Sequence, residues 1–179
     1  PLLVGTNSGE ASFGKFLFQR QSARERAALR LLASFDPESA PDVIAAYGGA
    51  VSRRDFGDLL TDALFWAPTV RVASDHARRY PTWMYRFDFA PAALRWLGLG
   101  AMHSMELSNI FGDPGASRVS FLNSIAKPSE MEDVTETMQA QWGEFIRGGA
   151  PLDNWPQYRA PQRSTMVFDV EPRVEEAPM

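Results

Sequence analysis

Three short strand-like runs stand far apart in this chain, with long helical stretches between them. Leu2-Leu3-Val4 is apolar and closes at Gly5. Residues 82–89 are dense in aromatics and bounded by Pro81 and Pro91, the strongest strand signal in the sequence. Residues 165–170, Thr165-Met166-Val167-Phe168-Asp169-Val170, read as a last strand at a sheet edge. Strands separated by helices point to an α/β architecture, a mixed, mostly parallel sheet flanked by helices. Three strands are few for so many helices to cover. The chain also opens at Pro1 inside the first run, with no initiator Met and no signal-like leader. The expectation is therefore a single unit over residues 1–179, without an internal boundary, whose sheet is incomplete without an N-terminal segment.

Several helix starts are suggested by Ser followed three residues later by an acid. Ser22 with Glu25, Ser39 with Asp42, Ser52 with Asp55 and Ser129 with Glu132 all fit that pattern. After Ser52, the residues Phe56, Leu59, Leu60, Ala63 and Leu64 form one apolar stripe at helical spacing, and Pro68 ends or kinks it. A further helix is expected up to Tyr80. Met131, Val134, Met138, Trp142 and Phe145 mark a long helix stopped by Gly148-Gly149 and Pro151. Residues 91–102 read as loop.

Composition narrows the function. With 179 residues, 45% of them hydrophobic, the chain can bury a substantial core. A net charge of −4 offers no reason to expect nucleic acid or an anionic membrane as partner. The pairs Arg53-Arg54 and Arg78-Arg79 read as solvated helix faces. No cysteine is present, which removes disulfides, thiolate metal sites and a cysteine nucleophile, and favours a cytoplasmic location. No apolar run approaches the roughly 20 residues of a membrane helix. Neither a metal nor a cofactor is expected.

Only two histidines occur. His76, between Asp75 and Arg78, reads as a solvated helix residue. His103 stands in Gly100-Ala101-Met102-His103-Ser104-Met105-Glu106-Leu107, in the loop after the strongest strand. Glu10 follows the first strand in Gly5-Thr6-Asn7-Ser8-Gly9-Glu10. Imidazole suits general base catalysis near neutral pH, and a carboxylate on its other nitrogen holds the tautomer and stabilises the imidazolium. Loops at the carboxyl ends of parallel strands are where a rigid sheet can position such groups. The order acid then histidine is that of an α/β-hydrolase triad. The third member, a serine on a Gly-x-Ser-x-Gly turn, does not occur in these residues.

At these residues the chain resembles the C-terminal portion of a type B carboxylesterase, of the cholinesterase-like α/β-hydrolase superfamily and of its para-nitrobenzyl esterase type. The resemblance runs nearly end to end. It rests on the acid motif from Pro1 to Ala11, on Leu60-Thr61-Asp62-Ala63-Leu64-Phe65-Trp66-Ala67-Pro68, on Trp83-Met84-Tyr85-Arg86-Phe87-Asp88, and on the histidine motif with Phe111-Gly112 after it. Trp142-Gly143-Glu144-Phe145, Gly149-Ala150-Pro151, Trp155-Pro156-Gln157-Tyr158 and Thr165-Met166-Val167-Phe168 complete it in order. One position departs: the residue before Glu10 is usually acidic in the family and is Gly9 here. The resemblance implies ester hydrolysis through an acyl-enzyme, with His103 as base and Glu10 as its orienting acid. The serine and the oxyanion-hole donors would lie on the N-terminal part of the same protein, the chain's expected partner besides a small-molecule ester.

Glu106, three residues after His103, is read as a buried group supporting the histidine loop, against the plainer reading of a helix-surface carboxylate. Phe56, Phe65, Trp66 and Trp96 are candidates for an acyl or alcohol pocket, although at helical spacing aromatics more often fill a core. Asp62 is read as structural, in an ion pair. A competing function stays open: a catalytically inactive binding or adhesion protein on the same scaffold.

Overall fold

A computed structural model describes residues 1–178. Its centre is a four-stranded sheet in the order β1 (Leu2–Asn7), β2 (Thr82–Phe87), β3 (Ser164–Phe168), β4 (Arg173–Glu176). The first three strands run parallel and β4 is antiparallel to β3, so the sheet is mixed. In the β1–β2 register, Leu2 lies opposite Thr82 and Asn7 opposite Phe87. Both strands therefore end level, at the same rim.

Side chains alternate across a strand, and β2 uses both faces. Trp83, Tyr85 and Phe87 enter one apolar cluster with Phe168 and with Val134 and Met138 of the long helix α8 (Pro128–Gly148). Met84 enters a second cluster on the opposite face, with Ala73 of α5 (Ala67–Ala77) and with Tyr158. Helices thus cover both faces, as the strand spacing predicts. The aromatic centre is Tyr85, whose ring packs edge-on against Trp142 and Phe168 at 5.1 and 6.1 Å between centroids. Trp155 joins them and donates its indole N–H to the Met84 carbonyl at 3.2 Å.

The segment between β1 and β2 holds α1 (Gly14–Leu17), α2 (Gln21–Ala33), α3 (Ala40–Ala46) and α4 (Arg53–Thr61). They enclose a smaller core of Ala28, Leu32, Ala40, Phe56 and Leu59. Ser52 caps α4 by accepting the Asp55 N–H at 3.0 Å. The other serine caps do not form. Ser22 and Ser129 lie inside their helices, behind Arg20 and Lys127, whose extended backbones begin the turn instead. Ser39 spends its hydroxyl on Asp36 at 2.6 Å.

Four expectations are corrected. The apolar stripe of α4 does not continue, because residues Asp62–Trp66 form a π-helical turn. That turn holds an extra residue per ring and rotates the following face, so Leu64 is exposed. The loop at 91–102 contains a short helix, α6 (Ala92–Trp96), and α7 (Leu107–Phe111) follows the histidine segment. The strand at 164–168 is not an edge: β4 lies outside it. Arg173-Val174-Glu175-Glu176 lacks apolar alternation because it is a charged edge strand, a sequence that discourages further pairing. Its Glu175 accepts from Arg86 of β2 at 3.3 Å. Last, His76 is not fully solvated: it is half-buried and its Nδ1 meets the Thr82 hydroxyl at 2.8 Å. No helix among the described residues is long and apolar enough to cross a membrane.

Gly5 makes the centre of the sheet possible. The Tyr85 ring lies directly over it, and a Cβ there would fall inside that ring and against the Tyr85 carbonyl. Gly5→Ala is expected to destabilise the fold by about 1–3 kcal/mol, the usual cost of overpacking a filled site. Urea denaturation checks this; an unchanged midpoint would show that the ring moves aside freely.

Candidate functional site

The strands β1 and β2 end at one rim, and the loops leaving them stay joined. Ser8 N–H extends the ladder to the Phe87 carbonyl at 2.9 Å. Gly9 N–H then donates to the Ala101 carbonyl at 2.9 Å, and the Ser12 hydroxyl to the Leu99 carbonyl at 2.6 Å. The contact is close enough that a Cβ on Gly9 would lie 2.5 Å from the Leu99 oxygen. The acid loop and the histidine loop are therefore packed backbone to backbone.

This zipper brings two expected residues together. His103 Nδ1 lies 2.6 Å from Glu10 Oε2. A carboxylate only accepts, so Nδ1 carries the hydrogen and Nε2 is left as the basic nitrogen. The second carboxylate oxygen, Oε1, accepts the Asn7 backbone N–H at 2.9 Å. Glu10 is 8% exposed at its side chain and His103 63%. The acid is fixed from both sides and the imidazole stands open. Ser104, immediately after it, has φ +65°, a left-handed conformation that non-glycine residues adopt rarely and that clusters at functional sites. Its carbonyl is held by the Ser117 hydroxyl at 2.9 Å.

Glu106 is half-buried beneath this pair and accepts a hydrogen from the Asn7 side-chain amide at 2.6 Å. Burial pushes its carboxyl above the usual carboxylate range, the Asn7 hydrogen bond opposes that, and the Glu10 charge adds to it. The remaining candidates separate. Phe65 lies beside the imidazole, with 5.3 Å between ring centroids. Trp66 packs against the cluster under β1 and β2. Phe56 is fully buried in the helical core, where its ring meets Phe18 at 5.1 Å. Trp96 is 86% exposed, on the rim of a groove beside Gly9 and Lys15. Among the described residues Asp62 forms no ion pair; the Tyr47 hydroxyl donates to it at 2.5 Å.

Two features of the site were not anticipated from the sequence. Asn7 was given no role of its own, yet it touches Glu10, Met102 and Glu106. Asn123 braces the histidine segment from a distant short helix, donating to the Met105 carbonyl at 2.9 Å and the Ser108 hydroxyl at 2.8 Å. A buried Asn far from the motif gives no periodic or compositional signal.

Residues 2–178 match the model of the carboxylesterase family. The chain is similar to the para-nitrobenzyl esterase of Bacillus subtilis (strain 168), 34% identical over 126 residues, which covers 67% of this chain and 24% of that protein. It is similar to carboxylesterase 1D of Rattus norvegicus, 32% identical over 124 residues, 63% of this chain and 21% of that one. A solved PNB esterase superposes on 99% of this chain with a TM-score of 0.75 and 30% identity, using 36% of its own length. The chain thus spans about a quarter of the curated relatives it matches and about a third of that structure.

The raised Glu106 carboxyl has a stability consequence. Folding favours its protonated form, so the stability it contributes is present at low pH and is lost as pH rises through its folded value. At neutral pH its buried charge is a cost. Glu106→Gln is expected to raise the urea midpoint at pH 7, by a margin that shrinks to nothing as the pH falls into the usual carboxylate range. Equal midpoints at pH 7 would remove burial as the dominant influence on this group.

Proposed function

The chain belongs to the carboxylesterase family, and from that we propose that it supplies the glutamate and histidine of a Ser-His-Glu triad hydrolysing small-molecule carboxylic esters. In this reading the serine and the oxyanion-hole donors lie on the N-terminal part of the same protein. The supporting observation is the 2.6 Å hydrogen bond between His103 Nδ1 and Glu10 Oε2, with the imidazole open to solvent. Two loops packed backbone to backbone keep that bond in register, which is the preorganisation a triad needs.

The chemistry follows from the roles. The serine hydroxyl attacks the ester carbonyl while His103 Nε2 takes its proton. Glu10, hydrogen-bonded to Nδ1, stabilises the imidazolium that forms and prevents the ring from turning. His103 then protonates the leaving alcohol, and the acyl-enzyme remains. Water enters, gives its proton to Nε2, and attacks the acyl carbonyl; the returning proton releases serine and the carboxylic acid. Backbone N–H donors on the serine-bearing segment would stabilise the oxyanion, each contributing roughly 3–4 kcal/mol. Phe65, beside the imidazole, offers an apolar wall for one side of the ester.

In the complete protein, His103→Ala is expected to lower kcat on short-chain para-nitrophenyl esters by roughly 10⁴–10⁶-fold, and Glu10→Ala by roughly 10⁴-fold. Near-normal kcat in the first variant would end the assignment. The 179-residue chain alone is expected to show no saturable turnover of para-nitrophenyl acetate, because no Gly-x-Ser-x-Gly serine occurs in it. Saturation kinetics from that polypeptide would overturn the division of the triad.

A further inference from the structure

We propose that Asn7 is a positioning residue of this site, tying the acid loop to the histidine loop and keeping Glu106 oriented beneath them. The inference rests on the triad reading above. Asn7 is the last residue of β1 and is 1% exposed. Its backbone N–H donates to Glu10 Oε1 at 2.9 Å. Its side-chain amide donates to the Met102 carbonyl at 2.7 Å and to Glu106 Oε2 at 2.6 Å. One residue therefore holds the acid, the carbonyl immediately before the base, and the carboxylate three residues after it.

Packing does not account for an amide here. Both acceptors require the NH₂ end, so the amide cannot be turned around, and Oδ1 is left buried with no partner among the described residues. A buried oxygen without a partner is a cost that a leucine of similar size would avoid. What leucine cannot do is donate twice. Glu106 is pushed toward its neutral form by burial, and the Asn7 donor is the main influence opposing that. A charged Glu106 near His103 favours the imidazolium that develops during reaction. The other ionisable groups facing this position are Tyr85 of β2, whose phenol burial keeps protonated, and Asp62 and Arg86, which border a cavity of about 180 Å³ beside Asn7.

The test is the pH dependence of kcat/KM on a para-nitrophenyl ester, in the complete protein, for two variants. Asn7→Leu removes both donors. Activity is expected to fall roughly 10- to 100-fold near neutrality, the range of a small misplacement of catalytic groups. KM should change little, and the variant-to-native ratio should rise with pH as Glu106 regains its charge. Asn7→Asp puts a second carboxylate beside Glu106. A shared proton restores the bond at low pH and repulsion replaces it at high pH, so the ratio should fall as pH rises. A purely structural role lowers activity equally at all pH values, and flat ratios in both variants would overturn the proposal. If the leucine variant does not fold, the slope of the aspartate variant decides alone. His103→Ala is measured alongside: retained activity there ends the triad reading, whereas an inactive His103→Ala with flat Asn7 ratios ends only this inference.

Discussion

The site depends on the parallel register of β1 against β2. Glu10 and His103 are 93 positions apart. Closing a loop of that length costs about 4 kcal/mol in chain entropy, beyond a constant term. A hydrogen bond to a charged group contributes about 1.5–3 kcal/mol net, and this one is partly open to water. The bond cannot bring its own partners together. The strand ladder does so first, by ending both strands level at Asn7 and Phe87. The Gly9–Ala101 and Ser12–Leu99 bonds then carry the alignment past the strand ends. The Glu10–His103 geometry is a consequence of the sheet, and the sheet in turn rests on the aromatic cluster around Tyr85, which requires Gly5 opposite it.

The order of the sequence made much of this visible. Apolar runs of the right length located β1, β2 and β3, and the long intervals between them indicated parallel pairing with helices on both faces. Glu10 and His103 could be paired because each follows a strand and a parallel sheet brings strand ends to one rim. β4 was illegible for a physical reason: an edge strand protects itself with charge, and charge erases the alternation that strands are recognised by. The serine caps were misread because the pattern of Ser followed by an acid tests only side-chain chemistry. The helix begins where the backbone turns, at Arg20 and Lys127.

The pocket aromatics show a subtler limit. Phe56 and Phe65 sit on one helical stretch, but nine positions apart, which is about 180° on a 3.6-residue wheel. The π-helical turn at Asp62–Trp66 breaks that wheel. Phe56 stays in the helical core while Phe65 reaches the imidazole. No propensity marks that turn beforehand. Asn7 was hidden differently: its side-chain partners lie 95 and 99 residues downstream. Contacts of that range have no local signature.

Gly9 occupies a position at which the resemblance leads one to expect an acid. An acidic side chain there would add a second charge next to Glu10, which already has Glu106 nearby and shares Asn7 with it as a donor. It would also have to fit where the Leu99 carbonyl stands 2.5 Å from the position of a Cβ. The glycine removes both demands at once. In this chain the acid loop and the histidine loop are held by direct backbone contact, and Glu10 and Glu106 are each hydrogen-bonded to the same asparagine. A site assembled that way relies less on side-chain charge to hold its loops together and more on the one residue that both carboxylates share.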